Sequence, residues 1–487
     1  MNVTIVGGGS AGWMTAATLA KARPDWNLTL IEGKNIPTVG VGESTLLPIT
    51  QWCNFIGIDE KEFVKETDAT FKLSIKFTDF YKKGEAFHYP FGEPNLENNI
   101  AFANDWWFKK FLNPNLKNSD YADCIYPEQM AYVNENKFNK QLPRAYHFDA
   151  TKFGLWLKKH KCKNVKHIIE DIVTYKVGEE GIESLNNKHK ADLFIDCTGF
   201  RSLLLGKILE EPFESYEDLL PNNSAWATKL PYTNKKLELQ PYTNCTAYNN
   251  GWIWNIPLWT RMGTGYVYSD KFISDDEALK EFKNYLGRQD LEFKNIKMRI
   301  GIHKRLWVKN VAAIGLSAGF IEPLESSGLF TVHEFLISLL RNTEREKISQ
   351  WDKDNFTFMC KSDFRAFAEF VALHYALSHR KDTPYWLNNF NKNWDEKLIN
   401  LDLPNLSGMC GIARNRKFDY FFDHTSGAHC IAAGMNWSPT DEQIILYKYG
   451  KDIENIKKQW TLASNNLENK KIYFKEKIKN EKSQYDY

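Results

Sequence analysis

Asn2-Val-Thr-Ile-Val-Gly-Gly-Gly-Ser-Ala-Gly12 is a β-prone run that stops on three successive glycines. Residues 11–22 are rich in helix formers, and Leu28-Thr-Leu-Ile31 gives a second strand closing on Glu32. The stretch therefore predicts a βαβ unit. Gly7, Gly9 and Gly12 form G-x-G-x-x-G at the strand-to-helix turn. Such a turn needs positive φ, lets backbone approach a pyrophosphate closely, and packs helix against strand. Glu32 follows Gly12 by 20 residues, where a carboxylate can accept hydrogen bonds from ribose hydroxyls. The motif marks a dinucleotide site without separating FAD from NAD.

Two later runs, Asp192-Leu-Phe-Ile-Asp-Cys-Thr-Gly199 and Val311-Ala-Ala-Ile-Gly315, also end in glycine turns, as parallel strands facing a ligand do. Strands that return from so far along the chain to the sheet of an N-terminal βαβ unit favour FAD. The fold class expected is α/β: a Rossmann-like FAD-binding domain of the flavin-monooxygenase type with an intimately associated, mainly helical substrate region. Residues 1–340 would form the FAD-binding core, interrupted by aromatic-rich insertions at about 70–135 and 223–300. Residues 341–487 would form a mainly helical C-terminal region over the substrate site. The charged tail from residue 451 carries Ile453, Ile456 and Trp460 at helical spacing and predicts a solvated surface helix that frays at its end.

The 487 residues suggest roughly three structural units at ~150 residues each. With 63 Lys+Arg against 61 Asp+Glu, the formal charge of +2 gives no global field for nucleic acid or an anionic membrane. No apolar run reaches the ~18 residues of a membrane span. The eight cysteines lack C-x-x-C pairs or zinc-type spacing, so reduced thiols in a cytoplasm, and no structural metal, are expected. The apolar start lacks a basic n-region and is broken by glycines, so it is expected to be folded structure rather than a leader.

Beyond the glycine motif, four kinds of segment are distinctive. Lys76 stands in Ser74-Ile-Lys-Phe77; Gly251-Trp-Ile-Trp-Asn-Ile-Pro257 is W-x-W-x-I-P; Phe320-Ile-Glu-Pro-Leu-Glu-Ser-Ser-Gly328 precedes an apolar helix; and Val39-Gly-Val-Gly-Glu-Ser44, Ala145-Tyr-His-Phe-Asp-Ala150 and Phe194-Ile-Asp-Cys-Thr-Gly-Phe-Arg201 add support. In these segments the chain resembles the flavin-dependent halogenases of the tryptophan-halogenase type, from residue 1 to about 340 and more weakly to about 440. The resemblance implies that FADH2 and oxygen convert a bound halide (chloride, bromide or iodide) to hypohalous acid. This acid, HOX, then crosses a tunnel to a lysine that presents electrophilic halogen to an aromatic carbon.

The resemblance assigns that lysine to Lys76. Alternation of Phe71, Leu73, Ile75 and Phe77 with Lys72, Ser74, Lys76 and Thr78 would on its own place both lysines on the wet face of a half-buried strand. An ammonium can polarise HOX through a hydrogen bond, whereas a neutral amine could be halogenated; both species stay open. Trp252 and Trp254, two apart on a strand, share a face and can wall the flavin off from organic substrate. By resemblance Ser327 and Gly328 hold the halide, at a helix start suited to anions. Glu325 beside them is the partner expected to orient HOX or accept the arenium proton. The other expected flavin contacts are Glu43, Ser44, Ile172, Leu316 and Leu329.

Relatives that act on free tryptophan hold its amino-acid end with polar groups near the C-terminus. The segment Phe421-Phe-Asp-His-Thr-Ser-Gly-Ala-His429 does not match that clamp, and Tyr89 stands where the family places a histidine. An indole- or phenol-like substrate is therefore expected rather than strictly free tryptophan, with Tyr89, Phe91 and Trp437 as candidate walls. No second nucleotide motif for NAD(P)H is evident, so a separate flavin reductase is the expected partner; homo-oligomerisation stays open. The alternatives are a flavin-dependent aromatic monooxygenase and a non-catalytic flavin-binding module.

Overall fold

In the computed structural model, strand Asn2–Val6 lies between Leu193–Asp196 and Asn27–Glu32, parallel to both, with Val3 opposite Leu193 and Leu28. The sheet continues to Lys166–Ile169 beyond Asn27–Glu32 and to Val311–Ala313 beyond Leu193–Asp196, and ends in the antiparallel edge Trp307–Val308. The structure describes residues 1–34, 42–92, 103–394, 396–398, 427–438, 458 and 469–484. Ile453, Ile456, Trp460, residues 39–41 and residues 421–426 lie outside them.

The glycine turn is enforced by space. Gly7 has φ +119°, and a Cβ there would sit 2.2 Å from Cys197 O; one at Gly12 would sit 1.8 Å from Gly7 O. Only glycines allow helix Ser10–Ala22 to leave the first strand so tightly.

A second layer is a seven-stranded sheet drawn from both aromatic-rich stretches. Its order is Lys294–Lys297, Ser224–Leu230, Met262–Tyr268, Gly251–Pro257, Tyr242–Tyr248, Ser74–Thr78, Ala86–Pro90. All its pairs are antiparallel except Tyr242–Tyr248 with Ser74–Thr78. A small antiparallel sheet of Glu43–Ser44, Ala145–Phe148 and Thr70–Lys72 joins the layers.

The chain changes sheets at Leu73. Its N–H donates to Pro241 O at 2.7 Å, and its carbonyl accepts from Phe91 N–H at 2.9 Å and Gln129 Nε2 at 3.1 Å. The 71–78 segment is thus two strands in two sheets rather than one alternating strand.

Helices Ser327–Arg341, Gln350–Ala376, Pro384–Phe390 and Gly427–Gly434 cover the far side. No described helix is long and apolar enough to cross a membrane. The expectation of a fraying, solvated terminus needs correction for residues 478–484. Ile478 and Gln484 are buried, and Gln484 Oε1 accepts the N–H of Phe71 at 2.9 Å. Lys482 O accepts from Phe138 N–H, so this end is tied to the strand that carries Lys72.

Candidate active site

One large cavity runs along the carboxyl ends of the parallel strands, the position a twisted α/β sheet offers a ligand. Gly7, Gly9, Glu32, Glu43, Ser44, Ile172, Leu316, Gly328 and Leu329 line it, together with Trp252 and Trp254. Gly12 is in the helix behind the turn. Glu32 is held by His167 Nε2 at 2.9 Å. Ser10 and Ala11 at the N-terminus of helix Ser10–Ala22 also line the cavity, and Trp254, Ile256 and Leu329 give it an apolar surface. A carboxylate for ribose, a helix N-terminus for pyrophosphate and an apolar slot for a tricyclic ring together fit FAD.

Glu43 is pushed up to about 7 by burial, then by the nearby Asp149 carboxylate. It enters the cavity as a group that changes charge near neutrality.

The two tryptophans form a continuous wall, their rings 6.1 Å apart and tilted by 59°. Trp252 Nε1 donates to buried Glu322 Oε2 at 3.0 Å, and Asn222 Nδ2 and Tyr375 Oη donate to the same oxygen. Ser327 and Gly328 begin helix Ser327–Arg341, after Ser326 has taken a left-handed conformation with φ 59°. Gly328 and Ser326 reach the cavity; the Ser327 hydroxyl is turned to Ile321 O at 3.4 Å, so Ser327 offers its backbone rather than its side chain.

Lys76, the lysine the resemblance assigns, is not among the residues that line the cavity. It is half-buried in Ser74–Thr78, opposite His88 and Asn244, with its ammonium 5.8 Å from the centre of the Tyr242 ring. The residue beside the serine–glycine loop is Lys72, fully buried. Lys72 Nζ donates to Thr45 O at 2.8 Å and Ser326 Oγ at 2.9 Å, and lies 5.2 Å from the centre of the Phe91 ring. Burial pulls its pKa down to about 7. Two acidic groups oppose that pull, Cys245 and Glu325. Burial raises the Cys245 thiol so far that it is neutral at pH 7, which leaves Glu325 as the counter-charge.

Glu325 is also fully buried, and burial raises its pKa against the opposing pulls of His374 and Lys72. His374 Nδ1 is 3.0 Å from Val371 O, an acceptor, so the ring carries a hydrogen there and turns Nε2 to Glu325 Oε1, also at 3.0 Å. That last contact is close but not aligned as a hydrogen bond, and both Glu325 oxygens are left without one. Such a pair costs stability and is poised to act on an incoming group.

Around Lys72 and Glu325 stand aromatic walls. Tyr89 and Phe91 meet edge to face at 5.8 Å, and the Tyr89 hydroxyl is raised by burial and by its neighbours Glu325 and Cys430. Helix Gly427–Gly434 abuts them: a Cβ on Gly427 would lie 2.6 Å from the Tyr89 ring. Trp437 is buried just beyond that helix, its N–H donating to Ala432 O.

Reasoning from sequence missed Lys72, Thr45 and His374. No local signal separates Lys72 from Lys76, which follows four residues later in the same run.

The family model described as tryptophan halogenase matches residues 2–448. Tryptophan 6-halogenase SttH of Streptomyces toxytricini is 35% identical over 417 residues, covering 79% of this chain and 80% of that protein. Tryptophan 7-halogenase RebH of Lentzea aerocolonigenes is 33% identical, covering 80% and 78%. Among solved structures, apo VirX1 superposes with a TM-score of 0.87 at 34% identity, covering 99% of this chain and 98% of that one. The SttH crystal structure gives 0.86 at 29% identity, covering 100% and 98%.

Proposed function

The chain belongs to the tryptophan halogenase family of flavin-dependent enzymes, and from that premise we propose that it uses FADH2, oxygen and halide to make HOX, which Lys72 delivers to an indole- or phenol-like ring. Lys72 takes the place first given to Lys76. The observation that carries this reading is the Lys72–Ser326 hydrogen bond of 2.9 Å: Ser326 lines the flavin cavity, and the Lys72 it holds lies against the Phe91 ring and near Glu325.

When bound, FADH2 supplies the reducing equivalents that activate oxygen toward halide. The remaining steps belong to the protein. Gly328 and the backbone at the helix N-terminus hold the halide. Trp252 and Trp254 keep the organic substrate out of the cavity. The Lys72 ammonium donates to the HOX oxygen and polarises its O–X bond, and Glu325, with burial raising its proton affinity and His374 Nε2 3.0 Å away, takes the proton that the ring loses as the carbon–halogen bond forms.

Tyr89 and Phe91 form the wall on which the substrate ring rests. With Tyr89 in place of the histidine found in relatives, the reading favours an aromatic without a mandatory amino-acid end. A separate flavin reductase would supply FADH2.

The test is incubation with chemically reduced FAD, oxygen, each halide in turn and a panel of tryptophan, simple indoles and phenols, followed by mass spectrometry. Halogen incorporation should fall at least ~100-fold in Lys72→Ala, the size of a general-acid contribution, and survive in Lys76→Ala. Incorporation of oxygen instead of halogen, or loss in Lys76→Ala alone, overturns the reading.

A further inference from the structure

Lys72 is one end of an unbroken line of buried hydroxyls. Lys72 Nζ to Ser326 Oγ is 2.9 Å, Ser326 Oγ to Ser44 Oγ 3.0 Å, and Ser44 Oγ to Thr243 Oγ1 2.6 Å. Thr243 Oγ1 is 2.9 Å from His147 Nε2; His147 Nδ1 is 3.0 Å from Thr70 Oγ1; and Thr70 Oγ1 is 2.5 Å from Pro257 O. Every side chain in the line is buried, and His147 is fully so.

The direction of the line follows from counting hydrogens. A carbonyl only accepts, so Thr70 commits its one hydroxyl hydrogen to Pro257 O and must accept from His147 Nδ1–H. A neutral ring with its hydrogen on Nδ1 presents a lone pair at Nε2, which accepts from Thr243. Thr243 then accepts from Ser44, and Ser44 from Ser326. With its hydrogen committed, Ser326 can only accept from Lys72.

We propose that His147 is a positioning residue for Lys72, its imidazole anchored on Thr70 so that the hydroxyl line runs one way and Ser326 holds the ammonium rather than the amine. The inference rests on the reading of Lys72 as the lysine of the reaction. Burial, and then Lys72 itself, hold His147 well below the usual histidine range, which keeps it neutral as the line requires. A hydrogen bond to the charged form of a group favours that form, so the line partly offsets the burial that drives Lys72 toward the neutral amine. Because Ser44, Thr243 and Ser326 also line the flavin cavity, the device that sets the charge of the lysine passes along the flavin wall.

The titratable groups facing Lys72 are Glu325, Cys245 and His147. Glu43 precedes Ser44, Asp149 lies two residues beyond its partner His147, and Glu43 titrates in the same range. The measurement must therefore report Lys72 alone. The 13Cε resonances of [13C]lysine-labelled flavin-free protein do so; most lysines titrate far above pH 8, and the Lys72→Met spectrum identifies the Lys72 signal and separates it from Lys392, which burial pulls to about 8.

Cutting the line frees the Ser326 hydrogen to turn toward Nζ and stabilise the amine. The Lys72 midpoint should then fall by ~1 pH unit in Thr243→Val, Thr70→Val and His147→Phe, and stay within ~0.3 unit in Thr243→Ser. Three breaks at separate points keep the test intact if one variant does not fold. A midpoint that stays put in the folded variants overturns the proposal. Halogenation that survives in Lys72→Ala would instead overturn the functional reading, and the two failures are read in different experiments.

Discussion

Lys72 is a cation placed where water is excluded, and the penalty has a sign. Its pKa is about 7 when folded against the ordinary lysine value of ~10.4, so between those limits the unfolded chain binds more protons and stability rises with pH. Below pH ~7 the buried charge exerts its full destabilising effect. Replacing it with an apolar chain of similar length should therefore help most at low pH. Flavin-free Lys72→Met is expected to melt above the native protein by ~2 °C or more at pH 6, with a smaller gap at pH 9. Glu43, whose own contribution changes below pH 7, is common to both proteins and cancels in the difference. A gap that widens with pH would contradict the assignment of Lys72 as a buried, strained cation.

At the scale of the element, the tryptophan wall depends on a close fit with its neighbouring strand. A Cβ on Gly265 would lie 2.2 Å from Trp254 Cη2 and Cζ2, so the ring lies on bare backbone. Gly265→Ala should displace Trp254, open the wall and let oxidant escape. Peroxide released per halogenated product should rise severalfold while flavin binding persists, as read by paired peroxide and product assays. The C-terminal segment is a second support. Ile478 is fully buried, and Gln484 pins the Phe71 N–H next to Lys72. Ile478→Ala is expected to cost ~2–5 kcal/mol by denaturant titration.

Some of these elements are legible in the sequence. The glycine turn, the carboxylate at Glu32 and the W-x-W strand are written in local spacing, and local sterics fix where their residues go. Lys72 is not legible in that way. Phe71-Lys-Leu-Ser-Ile-Lys-Phe77 holds two lysines four apart, which share a face on a single strand, and only the passage from one sheet to another at Leu73 tells them apart. That passage is set by Pro241, Phe91 and Gln129, all remote in sequence. The buried tail escapes detection for a related reason: charged side chains at residues 470–482 describe its exposed face, while two side chains, Ile478 and Gln484, make the attachment.

Across the whole molecule, the parallel sheet builds the flavin cavity, the seven-stranded sheet supplies the tryptophan wall and the aromatic side, and the small three-stranded sheet carries Lys72 between them. The division of labour predicts that oxidant formation and carbon halogenation can be separated. The direct measurement is single turnover with reduced FAD, oxygen and bromide, following free hypobromite with a fast chemical trap alongside the brominated aromatic. In Lys72→Ala, trapped hypobromite should persist near the native amount of oxidant while brominated aromatic disappears. If Lys72→Ala makes no oxidant, or brominates the aromatic as well as the native protein does, this division of labour is contradicted.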